Sequence, residues 1–142
     1  MTLADRYDVE LPEFALRLQA VPVATAALPY RAGGWTRKET LGHLIDSAIN
    51  NHVRFAGAAT NPSLSMLFGY EQNGWVDVHG YRDMEWAELV AHWRMQNEPL
   101  ARVIPHLPLT QVLRAGDTTW TLAEWASDYL VHLRHHVDQI TA

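Results

Sequence analysis

Thr121-Leu-Ala-Glu-Trp-Ala-Ser-Asp-Tyr-Leu-Val-His-Leu-Arg-His-His-Val-Asp-Gln-Ile140 reads as one helix from end to end. A threonine followed three residues later by glutamate satisfies two orphan backbone donors of a first turn. Beyond it, Leu122, Trp125, Ala126, Tyr129, Leu130, Leu133, Val137 and Ile140 fall on one stripe at helical spacing. A stripe this continuous has to be buried against other helices. Three more segments repeat the spacing. One runs roughly from Leu11 to Leu28, with Phe14, Leu18 and Val21 on its stripe, an interruption at Pro22 and a stop at Pro29. Another opens on the same capping pattern, Thr36-Arg-Lys-Glu39, and reaches about Ala58. The last starts near Asp83 as N-cap and carries Trp86, Leu89, Val90 and Trp93 towards Val103, with Pro99 as a kink site. Strand-like alternation is nowhere sustained, so the expected fold class is all-α, a four-helix bundle.

The connection from Ala59 to Arg82 greatly exceeds the roughly 2 to 8 residues usual between bundle helices. It carries Met66, Leu67, Phe68, Tyr70, Trp75 and Tyr81, so it packs on the bundle, as a crossover that the topology requires, as a lid over a pocket, or as both. With 142 residues, 48% of them hydrophobic, the chain reads as a single domain over 1–142 with an ordinary apolar core. The absence of cysteine excludes a thiol nucleophile, a thiolate zinc site and an iron-sulfur cluster, so any metal must use His, Asp or Glu. A net charge of −5 with a single lysine, Lys38, offers no basic stripe, which argues against a nucleic-acid partner. No stretch has the layout of a signal peptide or the length of a spanning helix, so no membrane partner and a cytoplasmic location are expected.

Eight histidines make one pair at i, i+4 spacing weak evidence by itself. His132 and His136 nevertheless fall together at the edge of the last stripe, where two imidazoles one turn apart can aim at one point. They are half a metal site, or boundary residues bonded to neighbours and water. On the second helix the buried stripe is Leu41, Leu44, Ile45, Ala48, Ile49, His52 and Phe55. That geometry places His52 in the core and His43 on a solvated face with Thr40, Ser47, Asn50 and Arg54.

At Gly33-Gly-Trp-Thr-Arg-Lys-Glu-Thr-Leu-Gly-His-Leu-Ile-Asp-Ser-Ala-Ile-Asn50, together with Gly69-Tyr-Glu-Gln-Asn-Gly-Trp75 and His132-x-x-x-His136, the chain resembles the DinB-like superfamily and its YfiT-like branch. The resemblance implies a four-helix bundle with a long crossover between the second and third helices, a homodimer, and a divalent metal, zinc or nickel, on His43, His132 and His136. His43 would then face a cleft between helices. Gly42, Ala48, Arg134 and Gln139 depart from the branch, Gly42 and Ala48 standing where it often has histidine.

Three neutral imidazoles leave such an ion with an open position and its full charge, the layout of a catalytic site. Members of the superfamily include thiol S-transferases and isomerases, while others are described only as metal-dependent hydrolases. The resemblance therefore implies a bacillithiol-type S-transferase with a low-molecular-weight thiol cosubstrate and a small-molecule substrate. A hydrolase and a non-catalytic dimerisation or binding module are the alternatives. Around the ligands, Asp128 would accept the outer N–H of a ligand histidine or be a solvated acid on the helix rim, Asn50 and Arg54 would touch a polar or anionic cosubstrate unless Arg54 is an ordinary surface residue, and Tyr129 would orient a water or leaving group or sit in the core with its hydroxyl at the edge. Ligation by neutral imidazole also implies an affinity that falls below the ordinary histidine pKa of about 6.5.

Overall fold

A computed structural model describes residues 1–142. Its helices are α1 (Leu3–Gln19), the one-turn α2 (Val23–Ala26), α3 (Arg37–Thr60), α4 (Gln72–His79), α5 (Trp86–Val103) and α6 (Leu122–Ile140). Single 3-10 turns lie at Tyr81–Asp83 and Ile104–His106, and β1 (Val112–Ala115) pairs with β2 (Thr118–Thr121) in an antiparallel hairpin. No helix is long and apolar enough to cross a membrane.

The bundle consists of α1, α3, α5 and α6. Both α5 and α6 pack on α1 and on α3, so α1 and α3 sit on a diagonal. Three side-chain bonds fix the directions. Trp86 Nε1 at the start of α5 donates to the Leu18 carbonyl near the end of α1 over 2.8 Å. Arg37 Nε at the start of α3 donates to the Ile140 carbonyl at the end of α6 over 2.8 Å. Arg17 near the end of α1 pairs with Asp138 near the end of α6. The starts of α3 and α5 thus share one end of the bundle with the finishes of α1 and α6, and the order is up, down, down, up.

Because α3 and α5 are parallel neighbours, the chain between them must return along the length of α3, about 36 Å for 24 residues. This is the physical reason for the long crossover. It first lies on the outer edge of the hairpin, where Leu67 N–H donates to Arg114 O and Arg114 N–H to Ser65 O. It then runs through α4, which stops at Gly80 in the left-handed region with φ 62°. Tyr81 follows, its ring seated on Gly42 of α3, where any Cβ would collide with it. Glycine at 42 is thus the condition for the crossover to close on the bundle.

The structure corrects several boundaries. The first helix spans 3–19 instead of 11–28, because a capping box of Thr2 and Asp5 starts it earlier. Pro12 sits inside it on the exposed side, where the Asp8 carbonyl left unbonded can face water. Asp83 belongs to a 3-10 turn, and Glu85 takes the N-cap position of α5. Both predicted threonine caps form, with Thr36 completing the box and Thr121 accepting from Glu124 N–H alone. The hairpin went unread because its strands are only four residues each.

Candidate metal centre

Every residue of α3 from Thr40 to Ala48 is buried, so this helix has no solvated side over that length. Its apolar stripe packs in the bundle, while α6 covers one polar flank and the crossover another. His43 is 2% exposed, which overturns the helical-wheel placement on a solvated face. His52, expected in the core, is only half-buried.

His43 meets His132 and His136 of α6. One ring nitrogen from each lies within 4.8 Å of the others, and the Nε2 atoms of His43 and His132 are 3.2 Å apart. Two nitrogens on a tetrahedral ion at 2.0–2.1 Å would be separated by about 3.4 Å. The ring centroids stand 5.2, 5.0 and 4.7 Å apart, and the ring planes cross at 82°, 78° and 81°. The rings are thus mutually near-perpendicular, with one nitrogen of each turned into the shared space. Burial, with the neighbouring imidazoles adding to it, pushes the His43 pKa down to about 3 and that of His132 to about 4. Burial also lowers His136, against a hydrogen bond donated by its ring to Gln139 that holds it up. Three converging neutral imidazoles suit a divalent transition ion.

Gln139 orders the outer side of this cluster, and no spacing rule applied to the sequence had assigned it a part. Its Oε1 accepts from His136 Nδ1–H over 2.8 Å, which leaves the lone pair on Nε2. Its Nε2 donates to exposed His135 over 3.1 Å. The available signal was position 139 itself, three residues beyond His136 and so one turn along. Trp35, at the start of the motif on 33–50, flanks the His43 ring with centroids 5.2 Å apart.

Of the four residues expected around the histidines, Asp128, Arg54 and Tyr129 line one cavity with His132 and Asn50 does not. Asp128 is exposed and makes no hydrogen bond to His132; it lines a cavity beside it. Asn50 folds back on its own helix, donating to the Asp46 carbonyl, and Asn51 takes the cavity wall instead. Asn51 Oδ1 accepts from Trp125 Nε1 over 2.8 Å. Tyr129 is buried in the bundle with its hydroxyl donated to Asn97 Oδ1 over 2.5 Å, so it has no proton left to orient a reactant. Asp46, quoted in the motif without a role, is fully buried, and burial raises its pKa against the pull of the Tyr81 hydroxyl it accepts from.

Two cavities flank the cluster. One, of about 280 Å³, is walled by α3, α6 and the crossover at Gly69–Gln72 and includes His132. The other, of about 530 Å³, lies on the His136 side between Tyr30–Trp35, Asn73 and Gln139. The crossover supplies wall residues to both, Gly69, Tyr70 and Gln72 to the first and Asn73 to the second.

The family described as the DinB superfamily matches residues 6–140. A "Putative metal-dependent hydrolase" of Bacillus cereus (strain 03BB102) is 29% identical over 129 residues, covering 80% of this chain and 67% of that relative. A relative of the same description from Bacillus thuringiensis subsp. konkukian (strain 97-27) is similar to the same extent. Among solved structures, YfiT from Bacillus subtilis, described as "a probable metal-dependent hydrolase with an unusual four-helix bundle topology", superposes with a TM-score of 0.83 at 24% identity and covers 97% of this chain and 83% of that one. A variant of a mycothiol-dependent maleylpyruvate isomerase gives 0.78 at 12% identity, covering 100% and 62%. At these identities the two structures establish likeness of fold.

Proposed function

Since the chain belongs to the DinB superfamily over nearly its whole length, we propose that it is a metal-dependent enzyme in which His43, His132 and His136 hold a divalent ion and a small thiol is transferred to an electrophile. The relatives described as metal-dependent hydrolases and the cluster of three histidines support the coarser part, an enzyme that depends on a metal. The isomerase of similar fold, which depends on mycothiol, supports a thiol as cosubstrate.

The observation that carries S-transfer is the pair of cavities on opposite sides of the cluster. Hydrolysis needs one organic substrate and water, whereas transfer between two organic molecules needs two places. When bound, the ion supplies a Lewis acid with an open position that lowers the pKa of a thiol or water placed there. The chain's own work is to keep three imidazoles neutral by burial, to hold the His136 tautomer through Gln139, and to cover the cleft with the crossover. No protein cysteine is required, because the nucleophile arrives with the cosubstrate. A homodimer acting on a small molecule, without nucleic acid, belongs to the same proposal.

The test is conjugation of monochlorobimane with bacillithiol, mycothiol or glutathione by the metal-loaded protein against the metal-free protein. Metal-dependent acceleration with one of these thiols is expected. The relatives described as hydrolases favour a second reading with water as nucleophile. It replaces the first if no thiol is turned over while an ester or amide panel is hydrolysed in a metal-dependent way. A purified protein that takes up no ion leaves a binding module.

A further inference from the structure

The smaller cavity contains a cation that the protein does not neutralise. Arg54, on α3 about three turns beyond His43, is half-buried and forms no ion pair. Its Nη2 donates to the Phe68 carbonyl over 2.6 Å and its Nη1 to Asn51 Oδ1 over 3.3 Å, both neutral acceptors. The rings of Tyr70 and Trp125 lie 5.9 and 5.4 Å from its carbon Cζ, with the aromatic faces turned to the guanidinium. Of five N–H donors two are used, so three remain for a ligand. Burial disfavours this charge, as the lowered pKa of the group reflects. An anion in the cavity would offset that cost.

Two neighbours sharpen the chemistry. Tyr70 lines the same cavity with its hydroxyl buried and without a partner, a second donor beside the guanidinium. Asp128, the one acid on the cavity wall, is exposed, so water screens it while Arg54 is screened far less. A flat guanidinium edge with donors in a fork matches a carboxylate. The volume of about 280 Å³ is at the small end of ligand sites.

We propose that this cavity binds a small-molecule carboxylate, with Arg54 as its anchor and the other end of the ligand beside His132. The orientation towards His132 rests on the proposed function; the anchoring does not. A thiol or electrophile bearing a carboxylate is thereby selected over its neutral amide or ester.

The probes are 3-mercaptopropionate and its amide, titrated into both metal-free and metal-loaded protein while the Trp125 indole N–H signal is followed by NMR. Trp125 bonds to Asn51 and faces Arg54, so a ligand on the guanidinium moves that signal. The acid should bind roughly tenfold more tightly than the amide, the loss expected when a charge-assisted hydrogen bond is missing. Arg54→Gln should bind both probes alike, and Arg54→Lys should keep part of the preference because it keeps the charge. Unchanged helical circular dichroism in both variants separates this from misfolding. Equal binding of acid and amide by the wild type, or an undiminished preference in Arg54→Gln, overturns the proposal. Because the preference is measured without metal too, its loss in a protein that still binds the ion refutes the anchor alone. Its persistence in a protein that binds no ion supports the anchor and refutes the metal-dependent enzyme.

Discussion

A histidine ring buried beside other histidines gives up its proton readily and keeps its lone pair, and both effects govern how His43, His132 and His136 respond to substitution and pH. His132→Ala should abolish stoichiometric binding of a divalent ion, read by elemental analysis, because two imidazoles remain; full retention would refute the ligand set. Gln139→Leu leaves the three donors in place but frees the His136 tautomer, so it should weaken metal affinity by roughly 10- to 100-fold without changing the fold. For pH, the sign follows from the lowered pKa values. His43 at about 3 and His132 at about 4 remain neutral where a free histidine is already protonated. These two rings therefore cost no affinity on going from pH 7 to about 5, so any fall in that range, read by metal titration, comes from His136, whereas the sequence alone implied a fall below about 6.5. In the metal-free protein, the same shifts make stability complete above the unfolded value near 6.5 and progressively lost as pH falls from there towards 4. Urea midpoints at pH 7, 6 and 5 check this, and a flat series would contradict it. The terminal histidine pair was legible from its spacing. His43 was not, because a helical wheel ranks residues by hydrophobicity and cannot show that α6 covers a polar face; only the resemblance carried by residues 33–50 pointed to it.

At the level of elements, the crossover and α3 meet at one atomically tight place. Gly42→Ala would drive a methyl group into the Tyr81 ring, at about 1–3 kcal/mol for overpacking, against up to about 1 kcal/mol gained from better helix propensity. A net loss of stability of up to about 2 kcal/mol is expected from urea unfolding, with Tyr81 displaced from Asp46. A stabilised variant would mean that the crossover yields. The departure at Gly42, visible in the sequence as a missing histidine, thus has a packing reason. Helices with threonine caps were readable at their starts because the cap is a local interaction, as Thr36 and Thr121 show. Elements of four to eight residues, such as the hairpin and α4, were not, because their stability comes from packing on α3 or on the loop edge and leaves little periodicity behind.

For the whole molecule, 31 buried hydrophobic residues form one core with no cysteine. Chelation should therefore leave the helical circular dichroism signal largely intact at 25 °C; loss of most of it would make binding energy and folding energy the same quantity. The up, down, down, up order adds a consequence for the time course. His43 and His132 are 89 residues apart along the chain, and the crossover must be laid down between α3 and α5 before α6 can close the bundle. Closing a contact over that separation is a late, non-local event, so the ion should find its three donors only after the last helix has docked. It should act as a brake on unfolding and never as a seed for folding, lowering the unfolding arm of a chevron while the folding arm stays where it was.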